Sequence, residues 1–551
     1  MGERHPPEFP EPCHVRDASR PRAASAAVRA AMMASGWAEA VVFAGALLAA
    51  ARIATRPAVR RELRLHPALA LLALTVALLT LAVLAGLATQ GVAVRQTLAG
   101  MVVLLAGLAW YRARPAYGRR RGLPPGSLAL DVSLKAVDDE NFYADGFRRW
   151  GGVFKFSQIH RPVACVTDLR QAREFLGHEG GAVGQADWPF HRLLPGKYVE
   201  FMDGVQHARY RALLEPAFGP DLVQAWAPDL RELSRASVSE MAAASVPNGV
   251  APFAWTERLA YAALLRILVG IDAADPRAAR LPALLAALDR PVHPWLPLPG
   301  ASRRAIAELM ARLRDVAEAC AASQNDAAPR CVVDELLRLD PAMVGDETMV
   351  GNLATLLHDG RNMLRMLLAW LVQRAAAHPD CLARIRSARG DENAAAARAR
   401  EFVMEVLRTS MSPYLYRKVT ADCRLGQYRI PRGWLVRICL REAHHSPRTF
   451  ERPQEFDPTR FGPEHRRSGE FWPFSIGVHA CFAEGFVMAV ATGFMQELAA
   501  HHLQALSDGP AERNNRHWAY AVPSRQLRVL LTSATGAGPQ AIPGPGARAG
   551  G

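Results

Sequence analysis

The chain has 551 residues, more than one ordinary domain needs, and half of them are hydrophobic although the mean hydropathy is close to neutral. A soluble globule joined to a short, strongly apolar segment would give that average. The net charge is +14, but residues 1–126 carry 16 Arg, no Lys and 6 acids, and so hold +10 of it. Because these arginines flank apolar runs, the charge indicates membrane topology, and we expect no nucleic-acid partner.

The cysteine content argues against a disulfide framework. The cysteines are scattered without a C-x-x-C pair or a dense cluster, which is typical of a reducing compartment and of isolated thiols. We therefore expect neither structural disulfides nor a zinc cluster, and a cysteine that does chemistry must show it by its local surroundings. The eight cysteines are Cys13, Cys165, Cys320, Cys331, Cys381, Cys423, Cys439 and Cys481.

The N-terminal part of the chain predicts disorder followed by membrane helices. Residues 1–36 are rich in Pro, Ala and Arg without apolar periodicity, which is typical of a disordered segment. Residues 37–112 predict two or three transmembrane helices, because the uncharged run 68–88 exceeds the roughly 17 apolar residues that the shortest spans need. A buried core helix is the alternative for this run, but the run lacks a polar face.

Arginine clusters on both sides of the apolar hairpin predict its orientation. One cluster lies within residues 52–64 and the other within residues 112–121, so two spans between them would hold both clusters on the cytoplasmic face. The rest of the chain would then be held at a membrane on the cytoplasmic side. The first apolar run is open to two readings, a span or an interfacial helix, because spanning would export the arginines of residues 16–29.

A basic, proline-containing linker (113–127) leads to one long globular domain (128–535). The domain begins with short β-like pieces, continues through a middle of consecutive helical patterns (210–410), and returns to strand-like pieces at 414–440. The Gly/Pro-rich tail (536–551) predicts disorder.

The residues around Cys481 have the features that a metal-bound thiolate needs. Gly477 allows a tight turn, so that backbone N–H groups can approach the sulfur, and Phe474 supplies apolar cover. A helical pattern starts just after the cysteine, and the positive end of that helix would stabilise the negative sulfur. A buried structural cysteine ahead of a helix is the alternative for this segment taken alone.

The segment resembles the haem-binding loop of the cytochrome P450 family, matching it at Phe474, Gly477, His479 and Cys481 and departing from it with Ala483 for a glycine. The resemblance implies a cytochrome P450-like α+β haem domain, mostly α with small β-sheets, preceded here by transmembrane helices. It also implies haem b (iron protoporphyrin IX) as cofactor, with Cys481 as the metal ligand. Thiolate ligation favours O–O bond cleavage.

Other segments are similar to the family in the expected order. Glu405 and Arg408 resemble its Glu-x-x-Arg helix and Arg460 its Pro-x-Arg-Phe loop, and together they would form a buried structural triad. His207 and Arg211, at i and i+4 on a helix, could reach one haem propionate. Further contacts to the propionates are implied for Arg417 and His479. Four such donors suit a buried dianionic porphyrin edge.

The helix that crosses the oxygen side of the haem departs from the family pattern. In the register set by the end of this helix, Asn362 replaces the acid and Met363 the threonine that relay protons in the family. An amide does not exchange a proton near neutral pH, and a thioether donates none. Asp359, three residues before Asn362 and on nearly the same face, and its neighbour His358 are the alternative replacements. Asp359, Asn362 and Met363 are therefore the catalytic candidates on this side.

The resemblance implies an oxidoreductase that inserts one oxygen atom into an apolar small molecule or lipid. Electrons would come from a separate ferredoxin or flavoprotein, since the chain contains no fused flavin or nicotinamide domain. The missing acid–alcohol pair favours an alternative, a haem-thiolate peroxygenase, isomerase or dehydratase. A non-catalytic haem-binding membrane protein is the third hypothesis. Segments 180–200 and 286–300, rich in aromatic residues and proline, are the candidates for substrate recognition.

Overall fold

The structure is a computed structural model that describes part of the chain, and all of its described residues lie in the unit 117–551. The predicted membrane segment (37–112) and the two predicted disordered segments (1–36 and 536–551) lie outside it. Among the helices of the described ranges, none combines the length and apolar composition needed to cross a bilayer. The described residues are 122–128, 136, 139, 141–158, 161–179, 181–186, 198–289, 299–322, 329–411, 414–463, 470–509, 512–513 and 521–534.

Helices make up most of the described residues. Several begin at an aspartate whose carboxylate accepts backbone N–H groups of the first turn, as Asp346 does from Met349 at 2.8 Å at the start of α9. The α-helices are α1 (Phe142–Trp150), α2 (Leu169–Leu176), α3 (Gly204–Ala217), α4 (Pro220–Ser245), α5 (Phe253–Val269), α6 (Leu281–Leu288), α7 (Gly300–Ala322), α8 (Val332–Leu339), α9 (Glu347–Ala377), α10 (Pro379–Ser387), α11 (Glu392–Val406), α12 (Leu440–His444) and α13 (Glu484–Leu498).

The strands form one small mixed sheet and three two-stranded sheets. The mixed sheet has the order β1-β2-β7-β4-β3, in which β2 and β7 are parallel and the other neighbours are antiparallel. Strands β5 and β6, β8 and β11, and β9 and β10 pair antiparallel. The strands are β1 (Val153–Gln158), β2 (Arg161–Val166), β3 (Val183–Gln185), β4 (Leu415–Val419), β5 (Cys423–Leu425), β6 (Tyr428–Ile430), β7 (Leu435–Ile438), β8 (His501–Ser507), β9 (Glu512–Arg513), β10 (Ala521–Val522) and β11 (Arg528–Ser533).

The 31-residue helix α9 runs through the largest core cluster. Residues on several of its faces are buried, because α5, α7 and α13 pack around it. A helix enclosed in this way needs apolar residues on more than one side. Two smaller clusters lie within the mixed sheet, one around Trp434 and the other around Phe154.

The expected mixture of many helices and few strands is confirmed in the described residues. Helices α3–α11 occupy the predicted helical middle, and β4–β7 lie in the predicted strand region 414–440. The last residues of the predicted linker belong to the fold, since Pro125 accepts a backbone hydrogen bond from Lys155 at 2.7 Å and Gly122 one from Arg429 at 2.8 Å.

Gly146 on α1 makes a close contact that allows a stability test. A Cβ added there would lie 2.5 Å from the Phe154 ring, and this ring is fully buried against Phe147 and Trp150. We predict that Gly146→Ala lowers the free energy of unfolding by about 1–3 kcal/mol, because the crowded ring has nowhere to move. Chemical denaturation of the purified protein measures the change.

Gly493→Ala on α13 is the matched control. The nearest atoms to a Cβ at Gly493 lie 3.9 Å away, which is ordinary van der Waals contact. Alanine has a higher helix propensity than glycine by about 0.8–1 kcal/mol, so this variant should be as stable as the parent or more stable. Equal effects of the two substitutions would contradict the proposed contact at Gly146.

Candidate haem-thiolate site

Cys481 lies in a tight loop between the mixed sheet region and α13. The backbone N–H of Cys481 donates to the Phe474 carbonyl at 2.8 Å, which closes the loop. The turn requires left-handed backbone at two positions, Ser475 (φ 66) and Gly477 (φ 74), and glycine adopts that conformation without a steric cost. Helix α13 begins at Glu484 without a side-chain cap, so its first N–H groups point towards the cysteine.

The sulfur of Cys481 faces an interior space. Its side chain is accessible to solvent, yet burial raises the pKa of its thiol to about 11, against the opposing effect of a hydrogen bond from the Ala483 N–H. Accessibility together with a raised pKa is the behaviour of a group at the wall of a deep cavity. A thiolate there needs a nearby cation, and a metal ion is the partner that fully deprotonates a thiol.

Cationic and donor side chains gather at one edge of this cavity. The rings of His207 and His479 lie 4.1 Å apart, and Arg211 donates to the carbonyl of Ala480 next to the cysteine. The Arg417 guanidinium is buried and pairs with Glu179 through its Nε. Within the described residues, Nη2 of Arg417 and Nδ1 of His479 are buried and have no hydrogen-bond partner.

The buried positive charges and unpaired donors of this cluster would be balanced by an anionic ligand. Burial, together with the positive charges of Arg417, His207 and Arg211, lowers the pKa of His479 to about 3. Burial and Arg211 also lower the pKa of His207. Buried donors without acceptors are costly, so a ligand with carboxylates would satisfy them. The residues therefore fit haem, whose iron would bind the Cys481 sulfur and whose propionates would accept from His207, Arg211, Arg417 and His479.

The three residues of the predicted triad lie together. Glu405 and Arg408 form a bidentate pair with both N–O distances 2.7 Å, and both side chains are fully buried. Arg408 also donates to the carbonyls of His444 and Pro453, and Arg460 lies 3.6 Å from Glu405. A charged pair with this many hydrogen bonds holds three chain segments in one place. The arrangement supports the loop that leads to Cys481.

Asn362 points away from the cavity and into a buried polar network. Its amide donates to Asp289 at 3.2 Å and accepts from Arg361 at 3.2 Å. The same Asp289 oxygen lies 3.1 Å from His358, one helical turn before Asn362. Arg361 makes two further bonds to Asp289 of 2.7 Å. The hydrogen bond from the Asn362 amide to Asp289 therefore connects α9 to the end of α6.

Asp359 and Met363 share the other face of this helical turn. They are four residues apart, so their side chains project in the same direction, and Met363 is 45% exposed although α9 is otherwise deeply packed. Asp359 is nevertheless tied to the polar network of Asn362, because its carboxylate lies 2.8 Å from Nδ1 of His358, and Nε2 of His358 lies 3.1 Å from Asp289. Gly360 faces α5 instead, where an added Cβ would lie 3.3 Å from Leu264.

Glu200 and Tyr198 are cavity residues that sequence reasoning did not single out. Tyr198 immediately precedes the short turn Val199–Phe201 and Glu200 lies in it, at the end of the predicted recognition segment 180–200. Burial, together with the negative charge of Asp359, raises the pKa of Glu200 to about 7. The charge of Glu200 in turn raises the pKa of Cys481, so the carboxyl is close enough to the sulfur for their charges to interact. The only sequence signal for Glu200 is an acid in an aromatic segment.

Comparison with known proteins agrees with this geometry. Residues 134–498 match the family model of cytochrome P450. The relatives include abscisic acid 8'-hydroxylase 3 of Oryza sativa subsp. indica, 25% identical over 398 residues that cover 66% of this chain and 78% of the relative. Abscisic acid 8'-hydroxylase 1 of Arabidopsis thaliana is 22% identical, with 74% of this chain and 91% of the relative covered.

A solved structure shows the same fold. The cyanobacterial CYP120A1 with bound retinoic acid superposes with a TM-score of 0.64 at 21% identity, over 75% of this chain and 99% of the other. The family match spans the cysteine loop, the triad and α9, and the named relatives are hydroxylases. From the family match and the site together, the chain belongs to the cytochrome P450 family and is a haem-iron oxidoreductase of the monooxygenase class.

Proposed function

We propose that the protein is a membrane-anchored enzyme that binds haem b through Cys481 and inserts one oxygen atom into an apolar small molecule or lipid. A separate ferredoxin or flavoprotein supplies the electrons. The catalytic domain lies on the cytoplasmic side of the membrane, as the arginine clusters at 52–64 and 112–121 indicate. The observation that carries the proposal is the sulfur of Cys481 at the cavity wall, beside buried donors that have no acceptor.

Haem held by a thiolate supplies the oxygen-activating chemistry when it is bound. The chain's own residues hold and orient it. The positive end of α13 and the Ala483 N–H stabilise negative charge on the sulfur. Arg417 and His479 direct their unpaired N–H groups to where a carboxylate would lie, which fixes the orientation of the ligand's edge.

Glu200 is placed to hold a proton beside the reaction space. A pKa of about 7 means that its carboxyl is protonated in about half of the molecules at neutral pH, which is the best condition for a general acid. Asp359, whose charge acts on Glu200, would return the proton. The two carboxyls together replace the acid–alcohol pair that α9 lacks at Asn362 and Met363.

The carboxyls of Glu200 and Asp359 also restrict the kind of substrate that can bind. The relatives are named for hydroxylation of abscisic acid, and the solved structure holds retinoic acid. Glu200 and Asp359 would repel a carboxylate placed near the sulfur, while Met363 offers apolar contact. We therefore propose a lipophilic substrate whose reacting end is uncharged. Met363 at the alcohol position also favours a second candidate, a peroxygenase, which would form product with peroxide and no electron donor.

The ligand role of Cys481 is tested by Cys481→Ser. A hydroxyl does not ionise near neutral pH, so the variant should lose the strongly red-shifted Soret band of the reduced, carbon monoxide-treated protein. Difference spectroscopy measures the band. Cys423→Ser, a half-buried cysteine in β5, is the control and should keep the band. A Cys481→Ser protein with the unchanged thiolate-type band would overturn the assignment.

Glu200→Gln tests the proton donor. The neutral acid is present below a pH of about 7 and is lost above it, so the parent's coupled turnover should fall as the pH rises through about 7. The glutamine variant should turn over about 10²-fold more slowly and lose that pH dependence, because an amide cannot deliver a proton. Glu174→Gln, an exposed change on α2, should behave as the parent. A pH profile that is the same in Glu200→Gln and the parent would contradict this role.

Met363→Thr and Asn362→Asp test the orientation of α9. A threonine at position 363 places a hydroxyl on the face of Asp359, so the product formed per electron pair consumed should rise several-fold. An aspartate at position 362 would instead face Asp289, whose oxygen lies 3.2 Å from the present amide, and like charges repel. We expect no gain in coupling from it. Improved coupling in Asn362→Asp alone would favour the pairing predicted from sequence.

A further inference from the structure

Two cysteines far from the haem site lie side by side. Cys320 is near the end of α7 and Cys331 immediately precedes α8, and the sequence predicted isolated thiols at both positions. Their sulfur atoms and a carboxylate oxygen of Asp334 all lie within 4.8 Å of one another, and the three residues are buried. The thiols are not disulfide-bonded. They form the wall of a small pocket beside the turn that follows α5.

The two sulfurs have different surroundings. Cys331 is the N-cap residue of α8, and its sulfur accepts the Asp334 backbone N–H at 3.4 Å. Its thiol group also hydrogen-bonds to Cys320. The Cys320 sulfur lies 3.7 Å from the Val269 carbonyl. The hydrogen bond from Cys331 lowers the pKa of the Cys320 thiol, with help from Arg330 and Arg277, and raises the pKa of Cys331.

Two arginines, each paired with an aspartate, line the pocket rim. Arg277 pairs with Asp275 at 2.7 Å and Arg330 with Asp334 at 3.0 Å, and the two arginine side chains are 48% and 61% exposed. Their guanidinium charges favour the thiolate form of Cys320, and their exposed surfaces can meet anionic reagents. A divalent metal would compete with Arg330 for the Asp334 carboxylate, to which the Arg330 backbone N–H and Nε both donate at 3.0 Å. Thiol chemistry fits this pair better than metal binding.

We propose that Cys320 and Cys331 are a redox-active dithiol that forms a reversible disulfide by exchange with a low-molecular-weight disulfide such as oxidised glutathione. The guanidinium groups of Arg277 and Arg330 meet the carboxylates of that reagent. Cys320 is the attacking residue and Cys331 the resolving one. The site is independent of the haem chemistry.

The exchange is balanced in two steps. The Cys320 thiolate attacks one sulfur of the oxidised reagent, forming a mixed disulfide and releasing one reagent thiolate, which takes up a proton. Cys331 then loses its proton to solvent and attacks the Cys320 sulfur, which forms the protein disulfide and releases the second reagent thiol. Two protein thiols are oxidised, and one reagent disulfide is reduced to two thiols.

The disulfide would tie the end of α7 to the start of α8. The sulfurs, which lie within 4.8 Å of each other, must approach to about 2.05 Å to form the bond. A closed loop of this kind restricts the unfolded chain and so raises stability. The oxidised protein should therefore unfold at a higher temperature than the reduced protein, and a reductant should reverse the difference.

The experiment uses the full-length haem-loaded protein in buffer with a metal chelator. It is equilibrated with defined ratios of oxidised to reduced glutathione, free thiols are alkylated, and the peptides are mapped by mass spectrometry. A Cys320–Cys331 linkage that increases with the oxidised fraction, while the haem spectrum stays constant, is the expected result. No linkage at any ratio overturns the proposal.

A second cysteine pair supplies an internal control. Cys165 and Cys439 also hydrogen-bond to each other, but both are fully buried in the mixed sheet, and burial raises the pKa of Cys165 well above its usual value. We expect this pair to stay reduced under the same conditions. Equal oxidation of both pairs would show that the reaction is unselective, and the proposal would fail.

Single variants separate the two roles. Cys331→Ser should accumulate a stable glutathione adduct on Cys320, because the resolving thiol is missing. Cys320→Ser should leave Cys331 largely unmodified, because its thiol remains protonated. Cys381→Ser, a cysteine on α10, should leave the linkage unchanged. The reverse pattern of adducts would overturn the assigned roles, and the wild-type mapping tests the disulfide even when a variant folds poorly.

Discussion

Negative charge on a sulfur in a protein interior is the constraint on which the rest of the site depends. Burial raises the pKa of Cys481 to about 11, so the chain alone holds it as a neutral thiol, and a metal cation must accompany the thiolate. The uncapped start of α13 and the Ala483 N–H would stabilise the thiolate. The left-handed turn at Ser475 and Gly477 shapes the loop that carries it. The donor cluster at one edge of the cavity meets a second requirement, because it would bind the carboxylates of the same ligand.

Much of this arrangement follows from local sequence. A thiolate loop needs its glycine, aromatic residue and helix start within a few residues of the cysteine, so Cys481 could be identified without a structure. Glu405 and Arg408 were recognisable for the same reason, since a spacing of three on a helix brings them together. The coarse order of the regions, first β-like pieces, then a helical middle and then strand-like pieces, was predictable because apolar periodicity records it. The membrane segment and the chain ends lie outside the described residues and stay predictions.

The parts that sequence could not supply depend on contacts between distant segments. Asn362 differs in direction from the register-based expectation because Asp289, 73 residues earlier, takes its amide. Glu200 acquires its raised pKa from burial and from Asp359, neither of which a linear pattern records. Cys320 and Cys331 resemble isolated thiols when read along the chain, and only the packing of α7 against α8 brings their sulfurs together.

The turn that carries Glu200 is anchored to α9, because the Val199 N–H donates to the Asn352 side chain at 2.7 Å. That turn overlaps the end of the segment 180–200, which the sequence predicts to take part in substrate recognition. On the proposed function, substrate choice and acid–base chemistry thus depend on neighbouring residues. A lineage that remodels this segment to accept a new molecule would shift the enzyme's working pH at the same time, so specificity and pH optimum are expected to evolve as linked traits.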